Sequence, residues 1–147
     1  MELLERDSIL AALRRVKWRQ LGVRWVVLFG SLARKGVGRD VDLLVMPAEN
    51  GGVRWRLKVA AVVGEAAGVD WSKVDVVEAS PHTPCPIIYD AWRWGVIVYE
   101  DVRGLAREWL LTRVIVCGDY MVAAERLGVV RAAVEAVRRR WGRGGSS

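Results

Sequence analysis

Two neighbouring stretches, Arg24-Trp25-Val26-Val27-Leu28-Phe29-Gly30-Ser31 and Arg39-Asp40-Val41-Asp42-Leu43-Leu44-Val45-Met46, decide the fold. In the first, residues 24–29 form an unbroken β-branched and aromatic run, the pattern of a buried strand. Gly30-Ser31 breaks that run, and Leu32-Ala33-Arg34 begins a short helix. Gly36 and Gly38 mark a loop, and residues 39–46 predict a second strand ending at Pro47. Strand side chains alternate, so Asp40 and Asp42 share a face with Leu44 and Met46, while Val41, Leu43 and Val45 share the other. A strand apolar on both faces is buried, so two acids at its head suggest a cation site rather than a solvated edge. For a random pair of acids spaced this way, the solvated edge is the better reading.

Outward from this pair, the periodicity predicts a helix over residues 8–21, capped by Asp7 or Ser8 and stopped by Gly22. Asn50-Gly51-Gly52 makes a turn before a helix over 53–67. Residues 73–79 read as a third strand, 80–86 with three prolines as a loop, 87–94 as a helix and 96–100 as a short strand. Asp101 then opens a helical region to about Trp141, broken at Gly118 and Gly128. The fold class is α/β (α+β): a small mixed sheet flanked by helices, with a helical C-terminal third. The expected organisation is a core over 1–100, helices over 101–141 packing on that core or on a partner, and a flexible tail over 142–147.

The 147 residues suffice for one ordinary domain and exclude a multi-domain polymerase. Apolar residues at 52% and charged residues at 27% fit a globular chain. No apolar run is long enough to span a membrane, and the acidic start Met1-Glu2-Leu3-Leu4-Glu5 does not suit a signal peptide, so a cytoplasmic location is expected. The net charge of +6 is carried mostly by arginine, and by itself selects no partner. Cys85 and Cys117 form no C-x-x-C pair and, with His82 the single histidine, do not make a zinc site. They read as two reduced thiols.

The chemistry rests on three features taken together. Gly30-Ser31 sits between a strand and a helix start, where free N–H groups and the Ser31 hydroxyl suit a phosphate, with Arg34 and Lys35 adding charge. Alone, such a turn is usually just a turn. Asp40 and Asp42 head the next strand. Asp75, within Lys73-Val74-Asp75-Val76-Val77, is a lone acid in another strand core, on its own as easily a locally bonded strand end. If its strand lies beside that of Asp40 and Asp42, three carboxylates meet and can hold two metal ions about 4 Å apart for in-line nucleotidyl transfer.

Gly30-Ser31, then Arg39-Asp40-Val41-Asp42-Leu43-Leu44-Val45, then Asp75 together resemble the signature of the DNA polymerase beta-type nucleotidyltransferases. The chain length is similar to that of their small prokaryotic branch, the minimal nucleotidyltransferases (MNT), often paired with a HEPN-domain protein. The resemblance covers residues 24–79, and the leading helix and the strand at 96–100 also fit. It implies the nucleotidyltransferase fold, with ATP as nucleotide substrate and two Mg²⁺ ions. Asp40 and Asp42 would bind both ions, Asp75 would bind the catalytic one and activate the attacking hydroxyl, and Gly30 and Ser31 would hold the triphosphate. It further implies transfer of AMP to a hydroxyl, with a tyrosine of a HEPN toxin as acceptor and this chain as antitoxin. Nucleotidylation of a small molecule, as in antibiotic-modifying relatives, and a non-catalytic binding module are the alternatives. The chain departs from the family in a short spacer from Ser31 to Asp40, in lacking a serine before the first acid and in Lys35, where a glycine is common.

The remaining signals are bland. His82 lies in the proline-rich loop after Asp75, more often a bystander than a catalytic group. The eight tryptophans form no stacking pattern and read as core or interface. Arg138-Arg139-Arg140 suits a helix terminus, and no RNA-binding domain accompanies it, so nucleic acid is not the expected partner. Leu105 to Ala124 is apolar almost all round, which predicts either a surface shared with a partner or a second copy, or a helix buried within one chain.

Overall fold

The structure is a computed structural model that describes residues 2–118. The chain divides into two compact units, Met1–Val114 and Ile115–Ser147. The first holds every element named below. In the second, residues 115–118 are described and are helical, with Ile115 and Val116 exposed. The helix predicted beyond that point, its break at Gly128, the basic run and the tail over 142–147 lie outside the described residues.

Strands β1 (Leu4–Glu5) and β3 (Val37–Gly38) pair with each other, antiparallel. The main sheet has four strands in the order β5–β4–β2–β6, comprising β2 (Val23–Phe29), β4 (Val41–Pro47), β5 (Val74–Glu78) and β6 (Val96–Glu100). β2 runs antiparallel to both β4 and β6, whereas β4 and β5 are parallel and joined through helix α3 (Val53–Ala67). This is the mixed sheet the sequence predicts.

One face of the sheet, from Val26, Leu28, Val41, Leu43, Val45 and Val74, packs on Ile9, Leu10 and Leu13 of α1 (Arg6–Leu13) and Val59, Ala60 and Val63 of α3. Alternation places Trp25, Val27, Asp42 and Leu44 on the opposite face. There helix α4 (Cys85–Trp94) lies against β2 and against α2 (Gly30–Lys35). Helix α5, over residues 105–114, adds Trp109, whose ring lies 5.3 Å from that of buried Trp25.

Several boundaries differ from the sequence expectation, and three bear on packing. The helix predicted over 8–21 stops at Leu13 and resumes as a 3₁₀ turn over Trp18–Leu21. Trp18 is the reason, because burying its ring and giving its Nε1–H to the Leu13 carbonyl requires the chain to leave helical geometry. The strand predicted from residue 39 begins at Val41, with Arg39 and Asp40 in the bend before it. The loop expected over 80–86 yields to α4 at Cys85, because Pro86 suits the first turn of a helix, where no N–H is needed. Neither Cys85 nor Cys117 is a free thiol, which corrects their reading as reduced thiols. No described helix is long and apolar enough to cross a membrane.

Candidate active site

Strand register assembles the acids. In the parallel β4–β5 ladder Asp42 stands directly opposite Asp75, so the two carboxylates project from the same face on adjacent strands. Asp40 precedes β4 in the bend and is exposed, as is Asp75 on the sheet's outer strand, while Asp42 is half-buried. Asp42 also pairs across the antiparallel ladder with Phe29, the residue before Gly30. The tight turn therefore lies against the carboxylate. Gly30 takes φ +80°, and a Cβ there would collide with Asp42 Oδ2, so only glycine permits both the turn and the approach.

The Asp42 carboxyl is pushed up to about 6 from an ordinary value of 3.8, first by burial and then by the negative charges of Asp75, Asp40 and Asp90. All the named neighbours are acids. Because the folded state holds this proton more tightly than the unfolded state, the group favours folding at low pH. That contribution is lost as pH rises through about 4 to 6. In metal-free protein, denaturant titrations at pH 4.5 and 7.5 should show this loss in the wild type and its disappearance in Asp42→Asn. An equal pH effect in both would place the strain elsewhere.

The site also contains an acid that the sequence did not single out. Asp90, on α4, accepts the Gly30 N–H at 2.7 Å through Oδ2 and pairs with Arg34 Nη1 at 2.8 Å through Oδ1. Asp90 reads in sequence as one polar residue on an amphipathic helix, and only the packing of α4 on α2 brings it to the turn. Ser31 and Lys35 are exposed on α2. His82 is exposed in the loop between β5 and α4, where its backbone N–H donates to Ser80 Oγ.

Among the described residues no three His, Cys, Asp or Glu side chains already form a preformed metal cage. Magnesium does not require one, because it is commonly held by one or two carboxylates together with waters and substrate phosphates. Asp42 and Asp75 supply hard oxygen donors, and among the described residues neither forms an ion pair, so the residues present fit that ion.

No protein-family profile and no curated protein matches the sequence. Solved structures do match. A mutant of the toxin–antitoxin MntA-HpeT aligns over 89% of this chain and 99% of its own, at 18% identity and a TM-score of 0.59. A Shewanella oneidensis complex of tri-AMPylated HEPN toxin with MNT antitoxin aligns over 88% and 95%, at 16% identity and a TM-score of 0.55. The chain has the nucleotidyltransferase fold. A third structure, of the toxin–antitoxin with AMP-PNP, aligns over 89% and 99% at 18% identity and a TM-score of 0.56. The fold agrees with the resemblance carried jointly by Gly30-Ser31, residues 39–45 and Asp75, and the likeness extends well beyond residues 24–79.

Proposed function

We propose that this chain is a minimal nucleotidyltransferase that moves AMP from ATP onto a hydroxyl of a HEPN-domain partner, a tyrosine in the fullest form of the reading, and so acts as the antitoxin of a pair. The observation that carries this is the register of Asp42 with Asp75, with Asp40 just before the strand and Gly30 packed on Asp42. Supporting it, the structures that share the fold include an MNT antitoxin with an AMPylated HEPN toxin and a complex with AMP-PNP.

In this reading Asp40, Asp42 and Asp75 hold two Mg²⁺ ions, which supply charge neutralisation at the phosphates when bound. Gly30 and Ser31 orient the triphosphate, and Arg34 and Lys35 lie on the same short helix to offset its charge. Asp75 is exposed on the outer strand, where an acceptor hydroxyl can approach and pass its proton to the carboxylate. The acceptor oxygen then bonds the α-phosphorus, the bond to the bridging oxygen breaks and pyrophosphate leaves. On the partner's side, the contact surface proposed over Leu105–Ala124 has an exposed Leu111 in the first unit.

The test is co-expression with the adjacent gene's product, followed by incubation with α-labelled ATP and magnesium. Label should appear on a tyrosine of the partner and vanish in chelator. Labelling of a small molecule instead would move the function to the antibiotic-modifying alternative, and no transfer at all would leave a binding module.

A further inference from the structure

Asp90 holds two of the groups assigned to the nucleotide. Its Oδ2 takes the Gly30 N–H at 2.7 Å and its Oδ1 takes Arg34 Nη1 at 2.8 Å. A backbone amide has one proton to donate, so a phosphate oxygen and this carboxylate compete for it. The Arg34 charge is likewise already offset by an anion of the protein itself. Helix α2 does not depend on the contact to stand. Leu32 and Ala33 are buried in the core, and the Gly36 N–H closes its end on the Leu32 carbonyl. The Gly30 turn is fixed by its own backbone and by Asp42. The bridge is therefore exchangeable without unfolding what it touches.

We propose that Asp90 is an internal anion that occupies the nucleotide-binding turn and sets its affinity, so that a magnesium-bound nucleoside triphosphate seats only as Asp90 gives up Gly30 and Arg34. The inference rests on the nucleotidyltransferase reading above. Its physical consequence is selectivity by charge. Asp40, Asp42, Asp75 and Asp90 all repel a triphosphate that arrives without its cation, whereas the neutralised complex can outbid a single carboxylate for the two donors.

Calorimetric titration of the full chain with AMP-PNP and magnesium tests this, comparing wild type, Asp90→Asn and Asp90→Ala. Asparagine keeps the shape and a weaker acceptor, and alanine removes both oxygens. Binding should tighten by about tenfold in the alanine variant, one charge-assisted hydrogen bond's worth, and by less in asparagine. A residue that merely braces the fold would weaken binding when removed, so a gain is the deciding sign. Melting curves confirm that each variant is folded, and asparagine carries the test if alanine does not fold. Unchanged or weaker binding in the folded variants, with wild type binding normally, overturns the role of Asp90 alone. No binding by any of the three overturns the nucleotide reading and this inference with it.

Discussion

Asp42→Asn is expected to lower nucleotidyl transfer by about a thousandfold while leaving the fold intact, a loss of several kcal/mol in stabilisation of the reacting phosphate. Of the three site acids Asp42 is the half-buried one, placed between Asp75 in register and Asp40 before the strand. The amide fills the same space and keeps one acceptor, but carries no charge to hold a divalent cation. The same substitution should stabilise the metal-free protein at neutral pH, because it removes the carboxylate whose proton affinity burial and Asp75 raise. After allowance for the water that still reaches this group, the gain is roughly 1–2 kcal/mol. Activity and denaturation midpoint should thus move in opposite directions. A variant that keeps full activity sinks the metal assignment, and one that loses activity together with stability points to a damaged strand instead.

Trp109→Glu carries the second large effect, on stability. If the apolar stretch over residues 105–124 is a surface shared with a partner, Trp109 is one of its aromatic anchors, and its loss would dissociate a complex while sparing the acidic site. In the structure its ring is half-buried against Trp25, which is 1% exposed on the face of β2 that α4 covers. Replacing it by a carboxylate removes that tilted ring contact and brings a charge against an apolar neighbour, at a cost of about 2–4 kcal/mol. Thermal melting should show a drop on the order of ten degrees, with Trp109→Phe recovering much of it. Leu111→Glu is the contrast. Leu111 is 45% exposed, so this change should leave melting nearly unmoved and reduce association with a HEPN partner or a second copy. Equal melting of Trp109→Glu and wild type would show that the Trp25–Trp109 contact does not stabilise the fold.

The positions of most strands, the face on which Asp42 stands, and the break at Gly30-Ser31 are local properties. They follow from alternation, from β-branched runs and from glycine, and the sequence alone determined them. The parallel placement of β5 beside β4 was legible only as a condition. Asp75 becomes a partner of Asp42 because α3 carries the chain across and the ladder sets the register, a long-range outcome that no window of sequence contains. Asp90 is the clearest case of what tertiary structure alone decided. Nothing in Ile87-Ile88-Tyr89-Asp90-Ala91-Trp92 distinguishes its acid from any solvated helix residue. Only the seating of α4 on β2 and α2 brings its two oxygens to Gly30 and Arg34. Trp18 and Trp109 make the same point for packing, since a side chain's hydrophobicity says that it will be buried but not against what.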